Sequence, residues 1–456
     1  MNDARPIESR VPADQGLSTL GLIMQLFGTL FGVLALIAVI LFAFPDVDRK
    51  TLMLVGFALS GVRSLFHARA GAQLTHGHKS LDGKISHLAG IRRYILVAVA
   101  HTIAMVAIDI FGFGAPLRLA VAVGVGLLVW PAALAVMLSL PRLSRFDGAL
   151  PLAEDKGFEG LAILMSIMGA CGAIEWGALL VVALLTLRDT IGDFYGVLFL
   201  IAVAALFARS YLHVTAGLAG VRETNFARSV RTGNRYAIVG IAVSAIVAGI
   251  LFLVSALENI HFVAYPLVAC LGWLLLAWPL IVSRVVGERQ LASLADNDVH
   301  YRAPDAGLTG LGWLLIANAM MTLSVLLPDL LAGPETTGIN ASLLHVLERL
   351  TLVSPSSIAW NVGIVAVELW AGIELVRMGS RFRLAATLYA IVAGAWTAYH
   401  SWPQMRSFEA MRHLEPEEIL AYVPLATNLV LPIATFLLVR RRTAPTAQAR
   451  YRPTPS

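Results

Sequence analysis

Apolar residues run in long blocks along this chain, and polar residues collect in the short gaps between them. Crossing the hydrocarbon of a bilayer takes roughly 20 apolar residues as helix. Twelve stretches meet that length approximately: 17–44, 51–71, 93–113, 117–140, 160–187, 194–220, 236–257, 262–286, 308–332, 356–377, 384–402 and 419–439. Backbone amides in lipid must bond within their own segment, so such runs predict helices rather than open sheet. The short alternating segments of a transmembrane β-barrel are absent. The expected fold class is all-α, a polytopic transmembrane bundle of about twelve helices. The first stretch is too long for the core of a secretion signal and lacks a small-residue cleavage site, so it reads as a retained first helix.

The connections are short. The longest, 72–92, 141–159, 287–307, 333–355 and 403–418, are too small for a folded catalytic domain. Within 341–353, apolar residues recur at helical spacing beside His345, Glu348 and Arg349, which predicts a segment lying along the outer interface. The tail 443–456 is rich in Pro, Ala, Thr and Arg and is expected to be disordered.

Composition agrees with the pattern. The 456 residues are 58% hydrophobic and 14% charged, too little charge to cover a soluble surface of this size. Charge distribution adds orientation. Arg222 to Arg235, Arg377 to Arg383 and Arg440 to Arg442 all follow even-numbered stretches, as do most other Lys and Arg. By the positive-inside rule both termini are cytoplasmic, and the expected location is the inner (cytoplasmic) membrane of a bacterium. The net charge of +5 is accounted for by those basic loops, and no nucleic-acid partner is expected. Cys171 and Cys270 lie in apolar runs and read as small packing residues, without disulfide or thiolate-metal spacing.

The chain resembles itself. Gly16, Gly157 and Gly307 each precede an apolar run opening at Leu20, Leu161 and Leu311. The string Arg63-Ser-Leu-Phe-His67-Ala-Arg-Ala-Gly71 matches Arg209-Ser-Tyr-Leu-His213-Val-Thr-Ala-Gly217 at five positions. In the third block Ala371-Gly372 survives, with Glu368 where the histidines stand. Arg93-Tyr94 answers Arg235-Tyr236, and Trp130-Pro131 answers Trp278-Pro279, with Pro432 at the same place in the last block. The reading is three four-helix repeats, 1–150, 151–305 and 306–442, followed by the tail 443–456. An even number of helices makes the copies parallel, related by an axis along the membrane normal.

Ionisable groups inside a bilayer cost a few kcal/mol, about 2.5–3.5 at a helix centre on insertion scales, so each is a functional candidate. Arg63 with His67, and Arg209 with His213, lie one turn apart on a helix face. The stretch boundaries place them in the inner-leaflet half, where an arginine can snorkel. If the second helix of each block lined the axis, His67, His213 and Glu368 would converge, and the arginines would pair with Glu368. That cluster reads either as a site for a small or anionic substrate or a histidine-based gate, or as polar glue between blocks. His101, Glu175 and Glu368 fall near helix midpoints, the raw material of a proton relay, whereas Asp109, Asp329 and Glu374 lie nearer helix ends and read as interfacial.

Other chemistry finds no support. The loop from His76 through His78 and Asp82 to His87 has no trustworthy zinc spacing, and a bis-histidine haem on His67, His101 or His213 has no defined pairing, so neither metal nor cofactor is expected. Nucleotide-loop, metalloprotease and serine-elbow motifs are absent. The leading expectation is a secondary transporter or permease with Arg63, His67, His101, Glu175, Arg209, His213 and Glu368 as binding or gating candidates. The alternative is a non-catalytic membrane subunit whose partners are other membrane proteins. An intramembrane enzyme acting on lipids, with arginines holding phosphate, ranks third because no nucleophile is legible. Lipid itself is the one partner every reading shares.

Overall fold

The structure, a computed structural model, describes residues 13–43, 49–76, 78–79, 85–86, 88–139, 158–186, 194–222, 226–257, 261–287, 306–332, 358–377, 379–405 and 423–441. The segment 341–353, the tail 443–456 and the side chains of the histidine loop lie outside the described residues, as does the Asp329 side chain.

Twelve helices are present among the described residues: α1 (Ala13–Ala43), α2 (Lys50–His76), α3 (Ala89–Ala107), α4 (Leu117–Ser139), α5 (Phe158–Leu185), α6 (Phe194–Arg222), α7 (Phe226–Leu257), α8 (His261–Val286), α9 (Ala306–Ala332), α10 (Ile358–Arg377), α11 (Phe382–Met405) and α12 (Val423–Arg441). The only strands among them are a two-residue antiparallel ladder, His78–Lys79 with Ile85–Ser86. The protein is thus an all-helical membrane protein. Nine helices, α1 to α9, are long and apolar enough to cross a bilayer, against the twelve expected. In the last block, α12 offers only the shorter apolar stretch Ala426–Arg440, and α10 carries Glu368, Glu374 and Arg377.

Several helices exceed their apolar stretches. The 32 residues of α7 span about 48 Å at 1.5 Å per residue, against about 30 Å of hydrocarbon. The excess is its first turns, which carry Arg228, Arg231 and Arg235. At its far end α3 widens into a π turn, Ile108–Gly112, and Gly114 at φ +70° carries the chain toward α4.

In three helix pairs, α1 with α2, α5 with α6 and α9 with α10, the approach is through small residues, because there is no hydrophobic drive between helices in lipid and close backbone contact must supply the attraction. A Cβ on Gly71 would stand 2.7 Å from the Gln25 nitrogen, one on Gly217 2.7 Å from the Ala162 oxygen, and one on Gly372 2.9 Å from the Gly312 oxygen. Between blocks the first helices meet at the centre. Thr19 of α1, Gly160 of α5 and Gly310 of α9 share one contact point. A Cβ on Gly160 would collide with Thr19 Oγ1, and one on Gly310 would lie 3.1 Å from the Gly160 Cα. Around that centre α4 packs on α9, α8 on α1, and α12 on α5.

The core is concentrated at one end. Leu20, Leu161 and Leu311, near the starts of α1, α5 and α9, are fully buried. Burial declines toward the other ends of α1 and α5. The three helices touch near their beginnings, where Thr19, Gly160 and Gly310 meet. Replacing Gly217 with Val should force α5 and α6 apart at their closest approach, costing about 1–3 kcal/mol as overpacking does. The expected result is a lower melting temperature in detergent, whereas Gly249→Val, at a glycine with open space around its missing Cβ, should cost far less.

Candidate functional site

The site is built on prolines. Pro131 in α4 has no N–H to give to the carbonyl four residues earlier, Leu127. In lipid that oxygen has no water to turn to. Arg63 of α2 supplies the donor: its Nη2–H bonds the Leu127 oxygen at 2.7 Å. Pro279 in α8 creates the same deficiency at Leu275, and Arg209 Nη2–H fills it, also at 2.7 Å, joined by the Ser244 hydroxyl at 3.0 Å.

The histidines one turn further are held equally closely. Trp130 Nε1–H donates to His67 Nε2 at 2.9 Å, and Trp278 donates to His213 Nε2. An acceptor nitrogen carries no proton, so each imidazole is the Nδ1–H tautomer. Tyr94 stacks on His67 with ring centroids 4.6 Å apart, and Tyr236 stacks on His213 at 4.3 Å. Both histidines are buried.

The two clusters differ in what lies beside the arginine. His101 of α3, seven residues after Tyr94, has Nδ1 3.3 Å from Arg63 Nη1. A guanidinium only donates, so His101 Nδ1 accepts and its proton sits on Nε2, directed at Ser60 Oγ, 3.1 Å away. Ser60 passes its own hydroxyl proton to the Gly56 carbonyl at 3.0 Å. The residue seven after Tyr236 is Val243, and there Arg209 Nε is buried with no hydrogen-bond partner. Its guanidinium approaches the Tyr236 hydroxyl without hydrogen-bond geometry.

Arg63, His67 and His101 also border a cavity of about 200 Å³ between α1, α2, α3, α4 and α9. One wall is polar, with Ser60, Arg63, Ser64 and His67 on α2. Beside it α1 contributes an apolar lining, Phe27, Phe31, Leu34 and Ala38. Met321 and Ser324 of α9 close the far side. Among the described residues no acidic side chain lines it.

The remaining candidates lie elsewhere. Glu368 is buried in α10, where its Oε1 accepts from Asn318 Nδ2 at 2.9 Å and its carboxyl is also bonded by Tyr389. His67, His213 and Glu368 do not converge, because the first helices of the blocks, not the second, occupy the centre. Neither arginine pairs with Glu368: each is committed to its own block's proline-freed carbonyl. Glu175, near the middle of α5, is exposed on the bundle surface. α2 extends from Lys50 to His76, so Arg63 sits at its midpoint, about 20 Å of helix from either end. Asp109, expected at the interface, is 4% exposed within the π turn. Glu374 does sit at a helix end, accepting from the Arg381 backbone N–H.

Tyr94, Trp130 and Ser60 are the partners that sequence reasoning left out of the cluster, although Tyr94 and Trp130 both stood in the matched dipeptides. Among the described residues no three His, Cys, Asp or Glu side chains gather as a metal site.

The proline account makes a thermodynamic prediction. Arg63→Met should destabilise the protein, and Pro131→Ala should weaken that effect by returning an N–H to the Leu127 carbonyl. A double-mutant cycle should show a coupling of about 0.5–3 kcal/mol. Additive losses would mean the guanidinium is not the carbonyl's needed donor. Compared with protein-family models, curated proteins and solved structures, the chain matches none.

Proposed function

We propose that this protein is a permease-class membrane protein whose substrate is an anion, taken into the cavity beside Arg63. One observation carries the reading. Arg63 sits mid-membrane with two protein partners, a carbonyl and a neutral imidazole, and no carboxylate to balance it. A guanidinium has five N–H donors, which leaves three for a ligand. Repeat interfaces are where transporter sites form, and this cavity lies where the first four helices meet α9 of the last block.

The proposal includes three parallel four-helix repeats about an axis along the membrane normal, with both termini cytoplasmic. Support comes from register. Thr19, Gly160 and Gly310 each stand three residues after Gly16, Gly157 and Gly307, and they are the residues in mutual contact. The packing of α4 on α9, α8 on α1 and α12 on α5 is what a closed cyclic arrangement of three copies requires.

Glu175 favours the alternative of a non-catalytic subunit. A carboxylate exposed near the middle of a spanning helix is costly in lipid, and a partner helix would relieve it. Native mass spectrometry after mild extraction separates the two readings. The expected result is the chain without other subunits, carrying a small bound anion that the Arg63→Gln protein lacks. Recovery at fixed stoichiometry with other membrane proteins would overturn the permease in favour of the subunit.

A further inference from the structure

We infer that the ligand of the Arg63 cavity is a small organic monoanion with an apolar body, of the class of aromatic or branched aliphatic carboxylates. This rests on the reading of the cavity as the substrate site, and four features of its walls narrow the chemistry.

Charge comes first. The cavity offers one guanidinium, whose planar fork matches a carboxylate in a bidentate pair. With one cation, a ligand of higher charge would be left unbalanced in an environment that penalises it. The absence of an acidic wall residue among those described removes any carboxylate partner for an ammonium group, so a zwitterionic amino acid would bury its ammonium without a counter-ion.

The second feature is the apolar lining. Phe27, Phe31 and Leu34 of α1 line the cavity beside the α2 polar stripe, and Phe57 and Trp130 add further aromatic surface. An inorganic anion would leave this surface without contact. A flat or branched apolar body fills it while its carboxylate faces Arg63.

Third, the cavity of about 200 Å³ is below the roughly 300–1,000 Å³ of drug-sized ligand sites. Fourth, polar and apolar linings run side by side at one level rather than occupying the cavity's two ends. The close approaches of Gly32 to Ser64 and of Gly61 to Ala35 bring the α2 segment carrying Arg63 alongside the middle of the α1 lining. A head-to-tail amphiphile wants its polar group at one end, and this geometry suits a compact acid instead.

The test uses the full chain in detergent and reads binding as a ligand-dependent rise in melting temperature and by calorimetric titration. The probes are phenylacetate, 2-phenylethanol as its neutral counterpart, phenylalanine as its zwitterion, inorganic phosphate and oleate. Phenylacetate should bind saturably, with the neutral and zwitterionic counterparts at least tenfold weaker. Arg63→Gln should weaken phenylacetate at least tenfold, and Arg63→Lys should recover part of that loss. Arg209→Gln removes an equally deep cation outside the cavity and should leave binding within twofold. If Arg63→Gln does not fold, Ala38→Phe, which fills the cavity from α1, should abolish binding. Phosphate binding as tightly as phenylacetate, or oleate binding alone, in either case lost with Arg63→Gln, would keep the site and overturn the ligand class. Phenylacetate binding unchanged by both Arg63→Gln and Ala38→Phe would overturn the site itself.

Discussion

A carbonyl oxygen four residues before a proline, deep in a membrane, must be given a donor from another helix. Leu127 and Leu275 are such oxygens, and two arginines one helix turn before the matching histidines answer them. This requirement explains why a guanidinium is tolerated at mid-depth at all. Its insertion cost is offset because it removes a second cost, the orphaned acceptor. The same bond fixes where the charge stands, and the surrounding tryptophan, tyrosine and histidine then have little freedom. In the second set the arrangement is incomplete, with Arg209 Nε buried and without a hydrogen-bond partner. In the first, His101 and Ser60 complete it and leave one side of the arginine facing a cavity.

Much of this architecture was legible in the residues. Long apolar runs placed the twelve helices, because helix length and bilayer thickness are tied by simple geometry. Their ends were not legible where a helix continues into water, as α7 does through Arg228 and Arg231, since solvated turns carry no hydropathy signal. The Arg63/His67 and Arg209/His213 pairs stood out because each charge has an energetic cost in lipid. What joined them to Trp130-Pro131 and Trp278-Pro279 was a contact more than sixty residues away in sequence, with no periodicity to announce it. The missing clue was chemical: a proline in a membrane helix implies an acceptor in need, and a matched arginine elsewhere is its natural donor.

The expectation that His67, His213 and Glu368 converge failed for a packing reason. Small residues, not polar ones, decide which helices reach the centre, because only they allow backbones to touch. Thr19, Gly160 and Gly310 take those places. The polar residues are left one layer out, among partners on neighbouring helices. Glu368 therefore answers to Asn318 and Tyr389, not to the arginines.

That central contact has a mechanical side. α1, α5 and α9 touch near their beginnings, and burial declines along α1 and α5 from there. From Thr19 to Ala38 at the far edge of the cavity is about 28 Å of helix, and a tilt of about five degrees at that contact would carry the far edge about 2.5 Å. The pivot would barely move. Leverage of this kind lets a slight rotation at one point reshape a chamber at a distance, with no helix needing to bend.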